Sequence, residues 1–230
     1  MHHHSHALLL LLLLLSSAFI SCSKTMLVPP NEPGVSLELA EFRKSLISDI
    51  RYTLFFSIPE RRDMPIPATV SIQFTLNQDG YDIPLDFRES ADKIHSLTVN
   101  GTAAEIRFEN EHILLPAGLL QEGENIADIE ITAGETSLNR NPEFLFTLFV
   151  PDRARTAFPL FDQPDLKAVY ELTLEIPSDW EAISNAALNS IVHKDSTKVL
   201  EFSPSDRFSS YLFSFVAGRF ESVTRTINGV

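Results

Sequence analysis

The sequence is poor in the residues that most chemistry requires. Its 230 residues hold a single cysteine, Cys22, which excludes an intrachain disulfide, a disulfide scaffold and a cysteine-rich zinc module. Basic side chains are the scarcer charge, 18 against 31 acidic ones, and the formal net charge is −13. Such a surface repels phosphate, which argues against nucleic acid as a partner. Four of the seven histidines crowd the first six residues, and the others, His95, His112 and His193, stand 17 and 81 residues apart. No pair has the i, i+4 spacing that sets two metal ligands on one helix face, so these three read as half-exposed strand or turn histidines. There is no H-E-x-x-H, no G-x-S-x-G elbow and no glycine-rich phosphate loop. What is present, 44% hydrophobic and 10% aromatic residues, is a folding composition. About 200 residues bury a good core as one domain or two small ones.

Eight consecutive leucines, Leu8 to Leu15, continue through Ser16, Ser17, Ala18, Phe19 and Ile20. The run has the length of a secretory apolar core and is too short to span a bilayer, so residues 1–21 read as a cleavable signal. The flank carries histidines where Lys or Arg is usual, and a nickel-binding tract is the rival reading of them. Phe19-Ile20-Ser21-Cys22-Ser23 resembles a bacterial lipobox, with Phe19 in place of the commoner leucine. That resemblance implies diacylglycerol on Cys22, membrane attachment through the lipid, and a place in the cell envelope outside the cytoplasm, on the outer membrane or the periplasmic face. A plain signal peptide with an incidental cysteine is the alternative. Residues 22–34, with Pro29, Pro30, Pro33 and Gly34, look like a tether.

From Val35 onward the chain reads as mainly β, in short runs punctuated by Pro, Asn-Gly and Asp-Gly. Residues 50–58 and 68–76 are the first expected strands. The second alternates Val70, Ile72, Phe74 and Leu76 with polar residues, so one face is buried and the other wet. Asn100-Gly101 between residues 94–99 and 102–108 predicts a hairpin, because this pair supplies the positive φ angles of a type I′ turn. The turn is also a better account of Asn100 than the glycosylation sequon it formally begins. A helical turn is expected at 116–120, and strands at 125–132, 144–150, 168–176, 183–188, 199–202 and 211–216. Ten or so strands at this spacing suggest a sandwich or curved open sheets.

One stretch is not generic. Residues 149–168, Phe-Val-Pro-Asp-Arg-Ala-Arg-Thr-Ala-Phe-Pro-Leu-Phe-Asp-Gln-Pro-Asp-Leu-Lys-Ala, run directly into an expected strand. Pro159 and Pro164 fix an irregular path, Phe158 and Phe161 need an apolar site, and Arg155 is placed to grip Asp162 in a bidentate pair. The segment resembles the Ala-Arg-x-x-Phe-Pro-x-Phe-Asp-x-Pro-x-x-Lys-Ala motif of the aminopeptidase N family of zinc metallopeptidases, at the end of their N-terminal saddle-shaped β domain. Residues 174–185 and 208–220 look like that domain's later strands, and 99–101 and 115–125 also have similar counterparts, so the resemblance covers about Asp49 to Val223. It implies an N-terminal saddle-like β domain of curved antiparallel and mixed sheets over residues 35–220, with 221–230 beginning a connection to a catalytic domain. The motif residues Arg155, Phe158, Pro159, Phe161, Asp162 and Pro164 are structural in this reading.

Two departures limit what the resemblance implies. The family's Gln-x-Glu, whose glutamate binds a substrate's free amino group, falls on Leu148 and Val150, and an apolar side chain cannot hold an ammonium. The family's cysteine between proline and phenylalanine is Leu160. The family's substrate strand, its H-E-x-x-H helix, its further glutamate ligand and its tyrosine have no counterpart up to Val230. No catalytic or metal-binding residue is therefore assigned; zinc, and any peptide substrate, are expected only with a catalytic domain. The expectation is a non-catalytic β domain of a lipid-anchored zinc aminopeptidase, walling the substrate cleft. The alternatives are a free-standing lipoprotein that keeps the domain for binding or scaffolding, and an unrelated β-sandwich adhesin or carbohydrate binder. An exposed apolar face towards the catalytic domain would separate the first two.

Overall fold

A computed structural model describes residues 32–221 together with 223 and 225. The leader, Cys22, most of the tether and most of residues 221–230 lie outside the described residues.

The first described element is a helix, α1 (Leu37–Leu46). Ser36 caps it by accepting from the Leu39 N–H at 3.1 Å, Glu38 sits in the positive first turn, and Arg43 and Lys44 sit in the last. Leu39, Phe42 and Leu46 fall at i, i+3 and i+7 and are buried as one stripe. This helix is a correction to the reading of β-type runs from Val35.

Among the described residues the strands form three sheets. The largest is mixed and contains β1 (Ile47–Ser57), β2 (Pro67–Leu76), β4 (Ile94–Val99), β5 (Thr102–Ala103), β8 (Gly123–Thr132), β11 (Val169–Pro177), β13 (Leu188–His193) and β14 (Thr197–Phe202). Its order is β13-β14-β11-β1-β2-β8-β4-β5, with β1 and β11 parallel. A four-stranded antiparallel sheet runs β12 (Glu181–Ser184), β15 (Phe215–Gly218), β10 (Phe144–Thr147), β9 (Leu138–Arg140). A three-stranded one runs β3 (Ile83–Asp86), β7 (His112–Leu115), β6 (Phe108–Glu109). In β2 the buried residues are Ala68, Val70, Ile72, Phe74 and Leu76, as the alternation requires. In β1 the register slips between Ser48 and Arg51, where Asp49 adopts φ 51°; the bulge restores alternation through Tyr52, Leu54 and Phe56. The buried face of the large sheet meets the four-stranded sheet through Phe56 and Phe215, whose ring centres are 5.3 Å apart.

The Asn100-Gly101 turn forms with φ 51° and 76°. Its return strand is only β5, because Phe108 and Glu109 pair instead with Ile113 and His112 around a second tight turn, in which Asn110 and Glu111 both have positive φ. The strand expected at 183–188 is two strands in different sheets: β12 ends at Ser184, and β13 begins at Leu188 on the edge of the large sheet. The strand expected at 144–150 stops at Thr147, ahead of a cis Val150–Pro151 bond. The strand expected at 211–216 is a 3₁₀ turn over Ser210–Leu212 followed by β15.

Candidate functional site

Residues 149–168 contain only one 3₁₀ turn, Ala154–Thr156, and two isolated bridges, Leu160 to Asp86 and Ala168 to Phe208. Around that turn the chain doubles back through the centre of the domain, and Arg155, Phe158, Pro159, Phe161 and Asp162 are all buried, whereas Pro164 is exposed. Phe158 lies about 6 Å from the rings of Phe56, Phe149 and Phe213, and Phe161 meets Phe74 edge-on at 5.6 Å. Leu160 is buried too, so that position is a packing position.

The polar groups of the loop are satisfied in a way the sequence does not suggest. Arg155 does not grip Asp162 through its side chain. The Arg155 backbone N–H donates to Asp162 Oδ2 at 3.1 Å, while the guanidinium turns outward to Asp152 at 2.9 Å and towards Glu111 at 3.9 Å. The loop is too tightly turned for the long arginine side chain to fold back onto a carboxylate its own backbone already binds. Asp162 Oδ1 accepts from Ser210 at 2.6 Å, and the Asp162 N–H donates to Asp86 Oδ2 at 2.8 Å. Burial raises the Asp162 carboxyl above its ordinary range, against the opposing pull of Ser210 and the Arg155 N–H.

Asp86 is the second centre of the knot. Arg43 from α1 holds it in two bonds of 2.8 and 2.7 Å and donates also to the Pro84 carbonyl. His112 Nε2 lies 3.1 Å from Asp86 Oδ1, close enough for an ion pair when the ring is charged, but neither ring nitrogen makes a well-formed hydrogen bond. Burial alone would raise Asp86; the charge of Arg43 and the contact with His112 overcome it and hold the carboxyl at about 2. Tyr52 accepts from the Phe161 N–H at 2.9 Å, and burial raises its phenol. Tyr170 stacks between Tyr52 and Phe213 at 5.1 and 4.7 Å. Its phenol is likewise raised by burial. The bonds that tie this network together span 43 residues from Arg43 to Asp86, 76 from Asp86 to Asp162 and 109 from Tyr52 to Phe161, and no local pattern announces them. His112 is a correction to the half-exposed reading: it is buried, because β7 turns its side chain onto the Arg43–Asp86 pair.

The remaining sequence candidates scatter. His95 is exposed, 2.8 Å from Thr132 Oγ1, and His193 is exposed on the edge strand β13. Leu148 and Val150 are exposed beside the four-stranded sheet. Among the described residues no group of three or more His, Cys, Asp or Glu could hold a metal ion, so these residues do not fit a zinc centre. Both central carboxylates are consumed by guanidinium, hydroxyl and backbone N–H groups. The arrangement ties a loop to the sheets and the helix around it.

Comparison with known proteins places this knot in a wider frame. Residues 133–212 match the family model described as the Peptidase M1 N-terminal domain. Aminopeptidase N of Streptomyces lividans is 33% identical over 208 residues, which is 83% of this chain and 23% of that protein. Tricorn protease-interacting factor F2 of Thermoplasma acidophilum is 32% identical over 155 residues, covering 64% of this chain and 19% of that protein. The chain thus spans under a quarter of either relative. Among solved structures, the M1 zinc metallopeptidase of Deinococcus radiodurans has the same fold over 75% of this chain and 42% of its own, with a TM-score of 0.62 at 16% identity. The same scores hold for a structure described as a two-domain M1 zinc metallopeptidase mutant bound to L-arginine.

Proposed function

With this chain carrying the N-terminal domain of an M1 zinc aminopeptidase, we propose that it serves as the non-catalytic wall and scaffold of the peptide cleft in a lipid-anchored enzyme of that kind. The zinc and the general base belong to a catalytic domain, and peptide substrates are engaged only together with it. The observation that carries this reading is the state of the 149–168 loop: the Asp86 carboxylate is committed to Arg43 and the Asp162 backbone N–H, and the Asp162 carboxylate to Ser210 and the Arg155 backbone N–H, so the loop shapes the domain and leaves no group for bond breaking. The domain's contribution to catalysis is then geometric, since holding a substrate in place lowers a barrier without a reacting side chain. Exposed Leu148 and Val150 would give such a cleft an apolar wall where the resemblance leads one to expect an amino-group anchor. The support for anchoring is Cys22 with the lipobox-like residues before it, and a lipid on that cysteine would hold the domain in the cell envelope. The free-standing alternative is disfavoured by Phe146, Leu148, Val150 and Ile183, which are exposed where an independent module would carry polar residues.

The test is to isolate the protein from its own cells with an antibody against residues 35–220 and to assay chelator-sensitive hydrolysis of aminoacyl anilides. Activity in the native isolate, in a form retained by membranes, is the expected result. A native isolate without such activity overturns the proposal.

A further inference from the structure

The large sheet ends in two unlike edges. One is β5, two residues long; the other is β13, six residues from Leu188 to His193 without a charge or a proline. Natural sheets guard their edges with charge, proline or shortness, because an open row of N–H and C=O groups accepts any extended chain. The edge strands of the two smaller sheets obey that rule. β12 carries Glu181, β9 carries Arg140, β3 carries Pro84 and Asp86, and β6 is two residues long with Glu109. Among the described residues β13 is the unguarded edge.

The ladder shows which groups of that edge are free. The Lys194 N–H donates to the Thr197 carbonyl at 2.9 Å, and the register continues Val192 to Val199 and Ser190 to Glu201. Amide groups alternate sides along an antiparallel strand, so those of Ile191 and His193 turn away from β14. No described strand meets them. The side chains agree. Leu188 and Ile191 sit beside buried Phe202 and Leu200 on the core side of the sheet, yet they are 44% and 42% exposed. The apolar layer runs off the end of the sheet uncovered, and an added strand would satisfy the amides and cover that layer at once. The charge pattern selects the strand. A chain of net charge −13 attracts basic partners, but β13 offers them no carboxylate. A neutral, apolar, extended strand matches it. β13 of a second copy is such a strand and is already ordered, so pairing costs no folding of a loose segment.

We propose that the protein forms a two-fold dimer by antiparallel pairing of β13 with β13 of a second copy, Ile191 opposite Ile191 and Ser190 opposite Val192, which joins the two large sheets into one. This register keeps core-side residues beside core-side residues and pairs amides that are free in both copies. The contact is independent of the function proposed above. The test uses the full chain isolated from its own cells in mild detergent. Cys22 is the single native cysteine, so the unsubstituted protein under the same mild oxidant gives the background of crosslinking. Ile191→Cys places two Cα atoms about 5.5 Å apart, within disulfide reach. His193→Cys, on the same exposed strand, places them about 13 Å apart and out of reach. A reducible dimer above background from Ile191→Cys, and none from His193→Cys, is expected. Sedimentation should show a dimer of the unsubstituted protein at micromolar concentration. Ile191→Lys, which sets two lysines face to face across the axis at a half-exposed position, should weaken it by about tenfold or more. A monomer at that concentration, a dimer linked as well through His193→Cys as through Ile191→Cys, or one indifferent to Ile191→Lys overturns the proposal.

Discussion

Arg43→Met removes one half of the ion pair at the centre of the fold and leaves Asp86 buried beside His112 without its guanidinium. Breaking a buried pair from one side costs about 3–5 kcal/mol, because the surviving charge is stranded. For a domain of this size that is a fall in Tm of about 6–20 °C. The pH dependence follows from Asp86. Its carboxyl is held at about 2, below the 3.8 of an unperturbed aspartate, so its contribution is fully present above pH 4 and is lost as pH falls towards 2. A depression of that size corresponds to about 2 kcal/mol. Asp162, raised by burial, acts in the opposite sense: its ionisation costs stability at neutral pH, and protonation relieves that cost as pH falls. In the variant the guanidinium no longer holds Asp86 down, so the gap between the two proteins should be widest near pH 7 and narrow through pH 4 to 2. Urea unfolding at a series of pH values measures it. A loss below about 1 kcal/mol at pH 7, or a gap that does not change with pH, would refute the reasoning. The double variant Arg43→Met/Asp86→Leu should recover part of the loss, since an apolar replacement strands no charge.

Three further outcomes are expected. A Cβ on Gly134 would stand 2.1 Å from the Thr156 carbonyl oxygen and 2.3 Å from Glu89 Oε1, so Gly134→Ala should cost about 1–3 kcal/mol in the same assay, and a neutral effect would show that the loop moves aside freely. Phe158→Ala empties the aromatic pocket formed by Phe56, Phe149 and Phe213 and should cost about 3–5 kcal/mol; a loss under 1 kcal/mol would mean that the knot does not organise the core. Cys22→Ser should move the protein from the membrane fraction to the soluble one, and unchanged partitioning would count against lipid attachment.

The parts of this fold that could be read from the sequence are those fixed by neighbours in the chain. The period-2 alternation of Val70, Ile72, Phe74 and Leu76 sets β2, and Asn100-Gly101 sets its hairpin, because both depend on a few adjacent residues. The capped helix α1 was also locally encoded, by Ser36 with Leu39, Phe42 and Leu46, and the surrounding β-rich runs concealed it. Long-range choices were not legible. Nothing near Ser184 shows that the chain leaves one sheet for another before Leu188, and nothing near Phe108 shows that it pairs with Ile113 and not with β4. In the candidate site, the burial of Phe158, Phe161 and Asp162 follows from the closely spaced prolines and aromatics. Their partners do not: Arg43 and Asp86 are 43 residues apart, Asp86 and Asp162 are 76 apart, and the network closes only when three sheets and a helix have packed. Arg155 shows the hazard of pairing charges by proximity in sequence, since its backbone took the bond assigned to its side chain.

The central proposal is that this chain shapes a cleft and does not itself break bonds. It is tested most directly by assaying the purified chain with aminoacyl anilides in the presence of added zinc, and by measuring the metal that remains bound after dialysis. The account predicts no turnover above the buffer rate and no stoichiometric zinc. Turnover that a chelator abolishes, together with one zinc bound per chain, would contradict it.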